Sequence, residues 1–565
     1  MDKIWLRSYP AGVPPDIDLE YASINDMASS AFRRYGERPA FRNFGATVTF
    51  AQVDGWSRDL AAWLEDLPGL QRRSRVAIMM PNLIQYPIAL FGILRAGMIV
   101  VNVNPLYTAR ELKHQLQDSG AEAIIILENF AHVLQSVLRD TAVKYVITTQ
   151  LGDCLGGKRW LTNFVVKRIK KMVPPWKIAE AVPFRTALKQ GAALTWKEPV
   201  IAPDDIAFLQ YTGGTTGLSK GAMLSHRNVV ANVLQGVAWT SPALEERRET
   251  LVTALPLYHI FALTTNLLLC MEIGGLNILV TNPRDLPAFI HLLKRTPFTV
   301  LVGVNTLFNA LLHQPDFGSL NFAGLKFALG GGAAVQPAVA SAWERATGRP
   351  MVQGYGLTEA SPFVSCNRFD QPYNATVGVP LPSTEISIVD NDGRELDIGG
   401  EGEICVRGPQ VMAGYWQQPA ETSKVITPGG WLRTGDIGLF DQEGRLRITD
   451  RKKDMILVSG FNVFPNEVES VLAGHPGISE CAVIGIPDAV TGEAVKAFIV
   501  AKDSDVTPEA IIAFCRQSLT NYKVPKHIEF RSSLPKNPIG KVLRRELRPA
   551  GAETRADTAS VPNAN

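Results

Sequence analysis

No run of about 20 apolar residues occurs in the 565-residue chain, which excludes a membrane-spanning helix. The best candidate, residues 88–103, is interrupted by Arg95 and followed by Asn104 and Pro105, so it reads as buried helix and strand. The N-terminal stretch MDKIWLRSYPAGVPPDIDLE lacks the uninterrupted apolar core of a signal peptide. Cysteine is sparse: Cys154, Cys270, Cys366, Cys405, Cys481 and Cys515 lie far apart with no C-x-x-C pair, as expected of buried thiols in a reducing compartment. The 8 histidines show no zinc-ligand spacing. Net charge is only +3, which gives no overall argument for nucleic acid. No repeat of solenoid period is visible. The expectation is a cytoplasmic protein, soluble or peripheral on the cytoplasmic face of the membrane.

What is present is globular composition, 46% hydrophobic and 20% charged, in a chain long enough for more than one domain. Asn25 or Asp26 is expected to cap a first helix through Met27, Ala31 and Phe32. RSRVAIMMPN (73–82) reads as a buried strand. YPIALFGILRAGMIVVNVNP (86–105) reads as helix, a stop at Gly97, then a valine-rich strand. Residues 109–127 repeat the order, with a stop at Gly120. Strands alternating with helices indicate a parallel sheet covered on both faces, with ligands beyond the carboxyl ends of its strands. A second α/β unit follows Ser225, which is expected to cap a helix. From about Thr376 the texture becomes short β-like runs with turn pairs at Asp392-Gly393 and Gly399-Gly400, as in a small antiparallel or barrel-like part. LFDQEGRLRITDR (439–451) reads as a hairpin around Glu443-Gly444. Beyond it, helix, strand, strand and helix make a compact α+β unit of roughly a hundred residues. The expected division is 1–450, 451–550 and a disordered tail, 551–565.

Two segments have chemical character. YTGGTTGLSKG (211–221) combines glycines, hydroxyls and Lys220, as a phosphate-wrapping loop would. It fails the spacing of the common nucleoside-triphosphatase loop, and taken alone it reads equally as a turn. Residues 157–177 carry Lys158, Arg159, Lys167, Arg168, Lys170, Lys171 and Lys177 with no acidic residue. Leu161, Val165, Ile169 and Met172 fall at helical spacing, with Trp160, Phe164 and Trp176 nearby. This basic amphipathic pattern suits an anionic membrane surface, or equally a solvated basic helix packed on the domain.

The glycine-rich loop is followed in order by GYGLTE (354–359), TGD (434–436), DRKKDMILVSGFNVFPNEVE (450–469) and PKNPIGKVLRREL (535–547). Together these resemble the acyl-adenylate-forming superfamily over nearly the whole chain. With NPLYTARE (104–111) and GVNTLFNALL (303–312), the likeness is greatest to bacterial long-chain fatty-acid–CoA ligases. The loop departs from the widest pattern at Gly213, where serine is commoner, and at Ser219, where proline is commoner.

The resemblance implies an α/β fold: a large N-terminal domain of two α/β subdomains plus a small β-barrel-like part, and a small mobile α+β C-terminal domain. It implies Mg2+ as cofactor, and fatty acid, ATP and coenzyme A as substrates. By the same resemblance Thr212, Thr215, Thr216 and Lys220 hold the β- and γ-phosphates, and Gly213, Gly214, Gly217 and Gly354 also bind ATP. Gly331, Gly332, Ala333, Tyr355 and Gly356 wall the adenine pocket, and Thr358 contacts the α-phosphate. Glu359 ligates magnesium, Asp436 accepts the ribose hydroxyls, and Arg451 donates to the ribose. Lys541 is the catalytic cation, Lys453 the hinge, and Ser459, Gly460 and Phe461 meet coenzyme A. His259, Phe261, Leu263 and Val304 line the acyl route, with the helix 304–312 as one wall and Val364 near it. Read as isolated residues, Glu359 is equally a helix cap, Asp436 a turn residue, His259 a core histidine and Lys541 an exposed cation.

Ligation of a medium-chain or aryl acid is a near alternative. A non-catalytic acyl-nucleotide binder is another, although such a binder has no need of both Glu359 and Lys541. Oligomeric state, a homodimer included, stays open.

Overall fold

The computed structural model describes residues 3–212, 219–459, 461–488, 490–502, 505–537 and 540–548. Its framework is two large sheets. The first has eight strands. Arg75–Met79, Ile99–Asn102, Ala123–Leu127, Tyr145–Thr149 and Val182–Pro183 run parallel with Ile206–Thr212, and Lys220–Ser225 and Gly414–Tyr415 close one edge antiparallel. Every residue of Ala123–Leu127 is buried, because helices cover both faces of a parallel sheet. The second sheet has nine strands, and its parallel centre includes Val300–Gly303, Phe327–Gly330 and Met351–Gly356. The early strands Pro39–Asn43 and Ala46–Thr49 join this second sheet and not the first, so the N-terminus ties the two units together.

Local chemistry sets the helix ends. Ser225 caps His226–Thr240 in a reciprocal box with Asn228, as the sequence predicts. Thr108 and Glu111 form the same box before Ala109–Ser119. That helix stops at Gly120, whose φ of 60° is left-handed. The cap of Ile24–Tyr35 is Ser23, not Asn25 or Asp26: its hydroxyl accepts from the Asp26 amide at 3.1 Å. Asn25 is instead turned inward, donating to Leu94 O at 2.9 Å.

The β-rich part is a four-stranded antiparallel sheet of Glu385–Val389, Gly402–Arg407, Leu432–Phe440 and Leu446–Arg451. The last two strands form the expected hairpin, with Phe440 opposite Leu446. Trp5 stacks on Phe440 at 5.5 Å, so the N-terminal segment straps this hairpin down. The next sheet begins at Ile456 and contains the long pair Ile478–Asp488 and Gly492–Ala501, covered by Pro465–Ala473 and Pro508–Arg516. All six cysteines are free thiols. The chain is therefore α/β, with a large N-terminal and a small C-terminal domain. Residues 551–565 lie outside the described residues.

Residues 157–177 depart from the expected continuous helix. Arg159–Phe164 is α-helical, then Val165–Ile169 widens to π-helical turns and ends. Its inner side combines the buried Val166 with polar contacts. Asn163 accepts from Gly152 N at 2.7 Å and donates to Gln150 Oε1 at 2.8 Å, while Lys167 reaches the buried Glu128 at 3.2 Å. With Asn163 and Lys167 turned inward, Trp160, Leu161, Phe164, Ile169 and Met172 face solvent.

Candidate active site

Asp436 lies on the strand Leu432–Phe440, directly opposite Arg451 across the hairpin. Its carboxylate accepts from Tyr355 Oη at 2.7 Å and pairs with Arg451 Nε at 3.1 Å. Thr434 shapes the approach: its hydroxyl accepts from Asp436 N at 3.1 Å and donates to Ile404 O at 2.8 Å. Burial, reinforced by the Asp436 charge, pushes the Tyr355 phenol far above its ordinary range, so it stays a hydrogen-bond donor. GYGLTE, TGD and the start of DRKKD thus meet at one carboxylate.

The GYGLTE strand runs parallel to Phe327–Gly330, which places Gly331–Ala333 beside it. The glycines here are required by close packing. A Cβ on Gly356 would lie 2.1 Å from Pro362 O, and one on Gly331 would lie 2.7 Å from the Phe261 ring. Phe261 therefore packs on the glycine turn. Thr358 and Glu359 occupy the turn Thr358–Ala360 that follows.

Glu359 Oε1 accepts from Tyr415 Oη at 2.8 Å. Tyr415 also lies under Lys220, whose ammonium is 5.3 Å from the ring centroid. Lys220 opens the strand Lys220–Ser225, opposite Thr212, so these two residues form the base of the glycine-rich hairpin. Gly213, Gly214, Thr215, Thr216 and Gly217 lie outside the described residues. The Lys220 ammonium is ion-paired with Glu421, in the first turn of Pro419–Val425. Lys220 and then Lys424 hold the Glu421 carboxyl down at about 2.

Sequence reading missed Tyr415 and Glu421. Pro419 followed by Glu421 marks a helix start. Nothing in the sequence shows that this helix faces a lysine some 200 residues earlier.

Lys541 comes from the small domain. Its amide donates to Asn537 Oδ1 at 2.8 Å, and its carbonyl accepts from Asn537 N at 2.8 Å. This tight loop docks on the large domain, where Thr306 Oγ1 donates to Gly540 O at 3.2 Å. Gly540 has φ 85°, and a Cβ there would lie 2.6 Å from Thr306 Oγ1 and 3.4 Å from Val304 Cγ2. Burial, then the nearby Arg451 charge, lowers the Lys541 ammonium to about 7, with Asp436 opposing. His259 is held near 4 by burial and by Lys541, so it is neutral, and its Nδ1 accepts from Phe261 N at 3.3 Å. Phe261, Leu263, Val304 and Val364 are all buried, as core residues would also be.

Lys453 sits in the turn after Arg451, lowered to about 8 by burial and by that neighbour. Ser459 and Phe461 lie at the tip of the hairpin between Ile456–Val458 and Phe461–Val463. Phe461 is exposed and stacks on Tyr522 at 4.9 Å. Ser459 N donates to Thr491 O at 2.8 Å, and Gly460 lies outside the described residues.

The donor set suits magnesium. Glu359 offers a hard carboxylate oxygen, and among the described residues no group of three or more His, Cys, Asp or Glu could form a protein-only cage. Magnesium typically uses one or two carboxylates together with substrate phosphates.

Glu421 fixes the direction of the Lys220 ammonium. Glu421→Gln is expected to lower the stability of the fold by up to about 1 kcal/mol, the scale of a partly exposed ion pair, which chemical denaturation checks.

The AMP-binding enzyme family matches residues 28–416, and the AMP-binding enzyme C-terminal domain matches 467–541. The long-chain-fatty-acid–CoA ligase of Escherichia coli O157:H7 is 55% identical, over 97% of this chain and 98% of its own. The long-chain-fatty-acid–CoA ligase of Haemophilus influenzae is 52% identical over 97% and 98%. The structure of the anthranilate CoA ligase AuaEII with anthranoyl-AMP superposes with a TM-score of 0.83 at 25% identity, covering 94% of this chain and 97% of that one. The same α/β framework, the same order of motifs and these full-length likenesses have one origin: the chain belongs to the AMP-binding enzyme family.

Proposed function

We propose that the chain ligates a long-chain fatty acid to coenzyme A through an acyl-AMP intermediate, with ATP as the activating substrate. The observation that supports this reading is that Arg451, paired with Asp436 beside Tyr355 and close to Lys541, also feels the charge of Glu359, which Tyr415 links to Lys220. The names of the relatives supply the chain class of the acid.

In the first step a carboxylate oxygen of the fatty acid bonds to the α-phosphorus of ATP, and the bond to the pyrophosphate oxygen breaks. Both partners are anionic, so a cation must lie between them. Lys541 supplies it; fixed donors of this kind contribute on the order of 3–4 kcal/mol to a barrier. Asp436 accepts the ribose hydroxyls, and Gly331, Gly332, Ala333, Tyr355 and Gly356 enclose the adenine. Thr358 meets the α-phosphate. Thr212 and Lys220, with the loop 213–217, hold the departing pyrophosphate. Mg2+, held by Glu359 and the phosphates, neutralises phosphate charge when bound. His259, Phe261, Leu263 and Val304 guide the acyl chain.

In the second step the sulfur of coenzyme A bonds to the acyl carbonyl carbon, loses its proton, and AMP leaves. We assign 1–450 and 451–550 as the moving units and Lys453 as the hinge. Rotation carries Lys541 away and presents Ser459, Gly460 and Phe461 to the pantetheine arm.

We further infer contact with the cytoplasmic face of an anionic membrane through residues 157–177. Trp160 is 72% exposed, Leu161 59%, Ile169 64% and Met172 52%, amid Arg168, Lys170 and Lys171. Among the described residues no helix is long and apolar enough to cross a membrane, so contact is peripheral.

Five outcomes test these readings. A coupled assay across acids of graded length and an aryl acid is expected to favour long chains; an aryl preference removes the long-chain reading. Lys541→Ala is expected to cut fatty-acid-dependent ATP–pyrophosphate exchange by about 100-fold or more, while thioester formation from supplied acyl-AMP falls far less. At low ATP, exchange is expected to fall as pH rises above about 7, because the ammonium is charged below that value and lost above it. Lys541→Arg, which stays charged, is expected to flatten that fall even where its rate is lower. Charge reversal at Arg168, Lys170 and Lys171 with Trp160→Ala is expected to abolish sedimentation with phosphatidylserine vesicles; unchanged sedimentation removes the membrane reading.

A further inference from the structure

Asp450 is fully buried at the end of the strand Leu446–Arg451, on the large-domain side of the proposed hinge. Its carboxylate is divided among donors, two of which lie beyond that hinge. Oδ2 accepts from the backbone N of Asn466 at 2.7 Å, in the first turn of Pro465–Ala473. Oδ1 accepts from Arg544 Nη1 at 3.2 Å and from the adjacent Arg451 N at 2.7 Å. Arg544 stands three residues after Lys541. A second tie runs in the same direction, from Asn466 Nδ2 to Thr449 O at 3.3 Å.

The partners are unequal in what they lose if the domains part. Arg544 has further acceptors, all beyond the hinge: Glu469 Oε2 at 2.8 Å, Asn466 Oδ1 at 2.6 Å and Asp454 Oδ2 at 3.4 Å. It stays paired wherever the small domain goes. Asp450 does not: rotation about Lys453 strips it of Asn466 and Arg544 together. A buried carboxylate is tolerated only while such donors satisfy it. The closed arrangement therefore satisfies Asp450, and opening requires that water replace both donors.

We propose that Asp450 is a closed-state latch: a positioning residue that holds the Arg544–Lys541 segment against the large domain for adenylate formation and releases it for thioester formation. The inference rests on the two-step, two-conformation reading above. Asp450 touches no substrate; it acts through Arg544 and the helix Pro465–Ala473. Its effect is thus selective for the half-reaction that needs Lys541 in place. A purely structural role would lower both half-reactions together.

The test uses the full-length protein and two assays: fatty-acid-dependent ATP–pyrophosphate exchange, and coenzyme A thioester formation from supplied acyl-AMP. Asp450→Asn is expected to lower exchange about 10-fold or more while thioester formation is unchanged or faster. Asp450→Glu, which keeps the charge, is expected to recover part of the exchange. Equal losses in both assays, or unchanged exchange, overturn the latch. If Asp450→Asn does not fold, Arg544→Lys carries the same test, because the shorter cation cannot span Asp450 and Glu469 together; the same split is expected and equal losses again overturn it. Absence of both half-reactions in the unaltered protein removes the ligase reading instead, so the two failures are distinguishable.

Discussion

The carboxylate of Asp436 is the point on which the site depends. It is 5% exposed and lies between the Tyr355 hydroxyl and the Arg451 guanidinium. Tyr355 belongs to the nine-stranded sheet, Asp436 to the four-stranded sheet, and Arg451 ends the neighbouring strand of that second sheet. One anion therefore ties the nine-stranded sheet to the four-stranded one, at the end of the latter's last strand. Without it, the half-buried Arg451 would lose its direct carboxylate partner while lying close to a second cation, Lys541. Pairs of this kind owe their value to what their loss leaves unpaired.

That arrangement also explains the unusual state of Lys541. Burial and the neighbouring Arg451 work against its charge, and Asp436 works for it. A group balanced near neutrality responds strongly to an incoming anion. In the proposed reaction the triphosphate and the fatty carboxylate provide that anion, so the cation is strongest when both substrates are in place. His259, held neutral alongside, adds no competing charge.

Much of this was legible in the sequence because it is local. Gly120, Ser225 and the alternation of buried strands with helices follow from capping chemistry and from the two covered faces of a parallel sheet. The hairpin 439–451 follows from its turn. The order of five motifs indicated the family. What was not legible is pairing over distance. Tyr415 and Glu421 sit on short elements with ordinary local signals, and only the fold brings them to Glu359 and Lys220. The spacing in 157–177 predicts an amphipathic helix, but Asn163 and Lys167 bond inward, while Trp160, Leu161, Phe164, Ile169 and Met172 stay exposed.

The central claim is that one docked arrangement serves adenylate formation and a different one serves thioester formation. The most direct measurement is single-molecule energy transfer between dyes at Val200→Cys on the large domain and Val490→Cys on the small one. Both positions are exposed, at 85% and 90%, while the native thiols are largely buried. The account predicts one transfer efficiency with ATP and fatty acid, and a second, distinct efficiency with a stable acyl-AMP analogue and coenzyme A. A single unchanged efficiency under both conditions would contradict it.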